Sequence, residues 1–259
     1  MTSRLEGGAR DLAVQILHCP ILAQCLEEGG AQLPCAEVAT GPGSPHHAHW
    51  VPEPWVGHLA EAPLLFVSSN PGGGSDPSTD PDDPSSSSPD EVLLDSEDGA
   101  FDAGQLPGIA DGQYLVDVHG TRGKSVHYWE WAKRCATEVL PRVPVPGHDY
   151  ALTEVVHCGS PSEDGVWKAL QTCTSRYLQP VLANSPARVV VVVGAIARFA
   201  FAEYLQVEAL DHLLGPLELA GRERLVAVVP HPNSRGGNVP LSRHLTPEQL
   251  ARVRQALSR

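Results

Sequence analysis

Along this 259-residue chain, short unbroken apolar runs alternate with longer stretches in which apolar residues recur every three or four positions. Four runs have the length and composition of buried strands: Pro63–Ser68, Tyr150–Val156, Arg188–Val193 and Leu225–Val229. The third is essentially a string of valines with no polar alternation, which predicts a strand covered on both faces in a parallel sheet. Helical periodicity predicts helices over Leu12–Glu28, His127–Leu140, Val166–Ala183 and Ala195–Leu205, and Thr246 caps a last helix through Leu257. Strand and helix alternate through most of the chain. The expected architecture is therefore α/β, a three-layer α/β/α sandwich around a central, mainly parallel four-stranded sheet. The whole chain, 1–259, is expected to form one domain.

One stretch breaks the pattern. Gly73 to Ser88 is almost entirely Gly, Ser, Asp and Pro, and acidic residues continue beyond it. Such a segment buries too little apolar surface to offset its ordering entropy, so 73–103 is expected to be a disordered acidic insertion. It also explains the charge. The net charge of -13 argues at first against a nucleic-acid partner, but ten of the 31 acids lie between Asp76 and Asp102, where there is no Lys or Arg. From Arg222 onward the chain carries seven Arg against two Glu. Local potential matters more to a phosphate than the global sum, so the basic end keeps a nucleic-acid partner in play.

The 42% hydrophobic content can fill a sizeable core without disulfides or oligomerisation, and a monomer is expected. No apolar run reaches the roughly 18–20 residues that span a bilayer. Met1 to Leu17 has no apolar core after a basic start, so neither a membrane anchor nor a secretory signal is expected, and the expected location is cytoplasmic. The six cysteines form no CxxC pair, which leaves reduced, partly buried thiols as the plain reading. His46, His47, His49 and His58 crowd a Pro-rich stretch, but with Glu53 the lone carboxylate and no thiol among them they make a poor metal site.

Two loops at strand ends carry candidate chemistry: Ser68-Ser-Asn-Pro-Gly-Gly-Gly74 and Pro230-His-Pro-Asn-Ser-Arg-Gly-Gly237. Each sets a polar residue before a proline that fixes the backbone, followed by glycines that permit close approach to a ligand. In open α/β sheets ligands bind beyond the C-terminal strand ends, where both loops fall. Either loop alone also reads as an ordinary turn. Together, an Asn-Pro-Gly loop after the first strand and a His-Pro-Asn loop after the last resemble the two active-site motifs of the uracil-DNA glycosylase superfamily. Tyr128-Trp129 is similar to an aromatic pair opening a helix in its mismatch-specific and single-strand-selective branches. Leu152-Thr-Glu-Val-Val-His-Cys158 resembles the superfamily's base-recognition strand, and Ser185 to Ala197 its strand-Gly-helix unit. His231-Pro-Asn-Ser-Arg235 is closest to the single-strand-selective branch.

The resemblance implies a monofunctional DNA glycosylase of base excision repair, which flips a damaged or modified base from the stack and hydrolyses its N-glycosidic bond. It assigns Asn70 to holding the attacking water and His231 to stabilising charge on the leaving base. Ser69, Tyr128, Trp129 and Glu154 would bind the base, and Asn233, Ser234 and Arg235 the DNA. Glu154 departs from the pattern, because an Asn usually occupies that position and an ionised Glu only accepts hydrogen bonds. Either the base carries an amino or hydroxymethyl group, or Glu154 holds a proton. Cys158 and Cys173 sit where the iron-sulfur branches place two ligands, and Cys19 and Cys35 could complete a [4Fe–4S] set. Buried free thiols are the alternative, and the excision chemistry itself requires no cofactor. A non-catalytic DNA-binding homologue remains a second reading of the whole. A hydrolase of another kind lacks support, since no GxSxG or P-loop pattern is present.

Overall fold

The computed structural model describes residues 3–27, 29–40, 52–71, 108–116, 122–160 and 162–258. The acidic stretch 73–103 and His46, His47 and His49 lie outside the described residues. Among those described, the strands are β1 (Leu64–Ser68), β2 (Gly108–Ala110), β3 (Tyr114–Val116), β4 (Arg122–Ser125), β5 (Tyr150–Glu154), β6 (Val189–Val193), β7 (Leu213–Leu219) and β8 (Arg222–Val229). The helices are α1 (Ser3–Leu17), α2 (Pro20–Leu26), α3 (Ala36–Thr40), α4 (His127–Val139), α5 (Val166–Asn184), α6 (Ala195–Leu205) and α7 (Pro247–Leu257).

The main sheet runs β5-β1-β6-β8-β7, with the first four strands parallel and β7 antiparallel at the edge. Successive side chains point to opposite faces of a strand, and both faces here are apolar. Leu65, Val67, Val190 and Val192 pack on one side with α1, α2, α3, α5 and α6. Leu64, Phe66, Val189, Val191 and Val193 pack on the other with α4 and α7. This double coverage is why the strands read as continuous apolar runs, and it gives three α/β/α layers.

The sheet has five strands where four were expected. The additional strand, β7, contains Gly215-Pro216, which reads as a break. An edge strand tolerates proline because one side of its backbone needs no ladder partner, and the register shifts between Leu214 and Leu217 where the pair sits. A second sheet, β2-β3-β4, is antiparallel and was not anticipated, because its three short strands follow directly on the low-complexity stretch. The expected first helix divides at Cys19-Pro20 into α1 and α2, the proline starting a new helix at its first turn. No described helix is long and apolar enough to cross a membrane.

Arg224 corrects the charge reading. It is 1% exposed, and its guanidinium donates to the carbonyls of Leu182, Ser185 and Leu219, closing the C-terminal end of α5 onto the sheet. It therefore contributes nothing to a basic surface. Charge-assisted bonds of this kind contribute about 1.5–3 kcal/mol each when made, and the carbonyls left behind lose their donors. Arg224→Met is expected to destabilise the fold by about 2–3 kcal/mol, read as a lower urea midpoint with unchanged slope.

Candidate active site

The C-terminal edge of the parallel strands carries one chemical group after another. In sheet order these are Glu154 at the end of β5, Ser68 at the end of β1 with Ser69 and Asn70 after it, Gly194 after β6 and His231 beyond β8. Adjacent strands lie about 4.8 Å apart, so Asn70 and His231, one strand removed from each other, emerge about 10 Å apart across the mouth. Gly194 opens that space. It has φ +89°, and a Cβ there would lie 3.3 Å from His231 Cβ.

Asn70 is buried, and its amide orientation is fixed by two acceptors. Nδ2 donates to the carbonyls of Pro71 and Ser160, both at 2.9 Å. Only the NH₂ can face two carbonyls, so Oδ1 lies on the opposite side of the amide as an acceptor. The Ser160 amide in turn donates to the Pro71 carbonyl at 3.1 Å, which locks the Asn70 loop to the loop following β5.

His231 is fixed just as specifically. The Asn233 amide donates to its Nδ1 at 3.2 Å, so Nδ1 is an acceptor and the neutral ring carries its proton on Nε2. Ser234 folds back on the same loop, its Oγ donating to the His231 carbonyl at 2.6 Å. Gly237 is obligatory here, since a Cβ would lie 2.0 Å from that carbonyl oxygen. Burial holds the His231 pKa below its ordinary 6.5, Glu163 opposes that shift, and His127 adds to it. The ring stacks on Tyr128, with centroids 5.5 Å apart and planes 12° apart.

Tyr128 also lies parallel to Trp131, so its ring is already stacked within the protein. What it adds to the site is its hydroxyl, which is buried beside Ser68 and Glu154. Trp129 is half-buried against the core on the α4 side of the sheet. Glu154 receives the Ser68 hydroxyl at 3.5 Å. Burial first, and neighbouring Glu53 second, hold its carboxyl well above the usual carboxylate range. Ser69 donates to Glu163 at 2.9 Å. Asn233, Ser234 and Arg235 are exposed along the rim.

Glu53, Ser160 and Glu163 were not anticipated. Ser160 acts through its backbone carbonyl, which no side-chain pattern announces. Glu163 adopts φ +59°, a left-handed conformation that costs a non-glycine residue energy and is concentrated at functional sites. Its negative charge raises the His231 pKa, so Glu163→Gln is expected to drop that pKa further below 6.5. NMR titration of the imidazole reads this, and an unchanged or raised value would separate the two residues.

On the other side of the sheet, Cys19, Cys35, Cys158 and Cys173 line a small cavity together with Ile21, Val156 and Tyr177. Burial, reinforced by the other thiols, pushes Cys35 up to about 12; burial does the same to Cys173. Among the described residues no three thiol sulfurs lie within 4.8 Å of one another. A single tetrahedral zinc, with Zn–S of about 2.3 Å, would hold its sulfurs about 3.8 Å apart. The four thiols are therefore not arranged around a single zinc ion.

Compared with protein-family models and with curated proteins, the chain matches none.

Proposed function

We propose that this protein is a DNA glycosylase of the uracil-DNA glycosylase type, excising a uracil-like base from DNA. The observation that carries the proposal is the paired orientation of Asn70 and His231. An amide and an imidazole, each fixed by backbone contacts, stand at the C-terminal ends of β1 and β8, which leaves the amide oxygen free to accept and the ring Nε2–H free to donate. In the proposed reaction the bond between C1′ and the base nitrogen breaks, and its electron pair leaves with the base. Nε2–H of His231 donates to the base O2 as negative charge grows there, a preorganised electrostatic role. A water held by Asn70 Oδ1 adds to the oxocarbenium-like C1′. Its proton ends on the departing base, which leaves neutral.

Glu154 selects the base through its proton. A neutral carboxyl offers one donor and one acceptor, the same pair an Asn amide presents, and so can give to O4 and accept from N3–H. The raised pKa of Glu154 favours this form over the ionised one, and thus a uracil-like edge over an amino-bearing one.

Cys19, Cys35, Cys158 and Cys173 are the proposed ligands of a [4Fe–4S] cluster. Bound there, it would supply iron–thiolate bonds from Cys19 and Cys35, just before α2 and α3, to Cys158 and Cys173. The segment between these last two carries Ser160 and Glu163, which hold the Asn70 loop. Anaerobically purified protein is expected to be brown and to contain four irons; colourless, iron-free protein would leave the buried thiols as plain packing.

Abasic-site formation on oligonucleotides bearing uracil, hypoxanthine, 5-hydroxymethyluracil or modified cytosine tests the proposal, with uracil expected to be cut best at neutral pH. The acidic composition favours a second reading, a DNA-binding protein of this fold without chemistry, which predicts binding with no abasic product on any of them. Arg235 is expected to contact phosphate. Arg235→Ala should weaken binding evenly across sequences and reduce the slope of log K against log salt by about 0.9.

A further inference from the structure

We propose that His58, Glu61 and His148 form a binding site for a first-row divalent cation of the zinc class. Two imidazole nitrogens and one carboxylate oxygen would be the protein ligands. Their ligating atoms all lie within 4.8 Å of one another. His148 Nδ1 is 3.0 Å from Glu61 Oε2; the His58 and His148 rings, stacked with centroids 4.1 Å apart and planes 19° apart, would turn about their side-chain bonds to bring both in-plane lone pairs onto one ion. Two imidazoles and a carboxylate are a common protein set for zinc, with a remaining position left to water. Magnesium and calcium prefer all-oxygen sites, so the two nitrogens select against them.

The fold brings these groups together and holds them. His58 and Glu61 share a single turn, in which the amides of Glu61 and Ala62 both donate to the His58 carbonyl at 3.0 Å. Leu59, 1% exposed, anchors that turn in the core. His148 stands in the turn leading into β5, braced by Asp149, which accepts from the Val145 amide at 2.7 Å and from Arg142 at 2.6 Å. The two turns are clamped to each other. The His58 amide donates to the Gly147 carbonyl at 2.8 Å. Gly57, at φ +93°, approaches Gly147 so closely that a Cβ would lie 2.8 Å from its Cα. A second imidazole ninety residues away, His148, explains why His58 looked unpromising as a ligand in the sequence.

The site lies at the N-terminal ends of β1 and β5, where Leu64 pairs with Tyr150. Five residues of strand, about 16 Å, separate it from Asn70 and Glu154 at the other end. A cation here takes no part in excision. It ties together the turns that lead into the two strands carrying Ser69, Asn70 and Glu154, so binding should raise thermal stability.

Cobalt(II) titration of the full-length protein, followed by visible absorption and by thermal melting, tests the assignment. Cobalt bound by thiolates shows an intense sulfur-to-metal charge-transfer band, so this site is distinguishable from the cysteine cavity. The expected result is bound cobalt without that band and a raised melting temperature. His148→Ala and the conservative surface change Glu61→Gln should each weaken affinity at least about tenfold, the loss that even outer-shell partners cause in known sites. No binding, binding only with the thiolate band, or an affinity that either variant leaves within tenfold would overturn the proposal.

Discussion

Asn70→Ala and His231→Ala are each expected to lower base excision about 10²–10³-fold, the loss typical of removing one preorganised group that stabilises a transition state. The two changes act on different halves of the reaction. In the proposed reaction, His231→Ala removes the donor at the leaving base, the Nε2 proton of the neutral ring. Asn70→Ala removes the oxygen that holds water, and it also frees the carbonyls of Pro71 and Ser160 from a shared donor. Single-turnover rates should fall in both variants with DNA affinity retained, because neither residue contacts phosphate in this account. A rate loss matched by an equal loss of binding would mean that these residues hold DNA and do not act on the bond.

Glu154 is expected to produce the second large effect, in base choice and in pH dependence. Its carboxyl has a pKa raised by burial and by Glu53. As pH rises through that value it ionises and loses the hydrogen that would bond to O4. Excision of uracil by the wild-type protein should therefore fall with rising pH, while Glu154→Gln, whose amide always carries a donor, should keep its activity over the same range. Glu154→Ala leaves both polar groups of the base edge without partners and should cost about 10²-fold or more. Stability follows the same proton. A raised folded-state pKa gives stability that is complete below the unfolded value near 4.5 and is lost as pH rises through the folded value. Glu154→Gln should thus be the more stable protein at neutral pH, by an amount that grows as pH rises from about 4.5. A pH profile identical in wild-type and Gln variant would remove Glu154 from base recognition.

The parallel core was readable because its strands are covered on both faces: the valines of β6 announce burial without any neighbour being known. β7 was not readable. Its place at the sheet edge is a tertiary fact, and only that place makes Gly215-Pro216 compatible with a strand. The site divides in the same way. Asn70 and His231 stand out because a proline follows each and fixes its loop. The partners that orient them, the Ser160 carbonyl and the Asn233 amide, are backbone groups with no residue signature. Tyr128 was legible as an aromatic of the site. Its stacking on His231 and Trp131 was not. The four thiols of the cavity belong to segments more than a hundred residues apart, and only the packing of α2 and α3 beside α5 brings them together. Glu163 carries no signal at all in the sequence, because its left-handed backbone and its reach to Ser69 exist only once the loop is closed.

The most direct measurement is single-turnover abasic-site formation on an oligonucleotide carrying one uracil, with wild-type protein and with Asn70→Ala and His231→Ala prepared identically. The account predicts strand cleavage by alkali at the uracil position alone after treatment with wild-type protein, and a loss of at least about 10²-fold in each variant. DNA that is bound but left intact, or abasic sites formed equally by all three proteins, would contradict it.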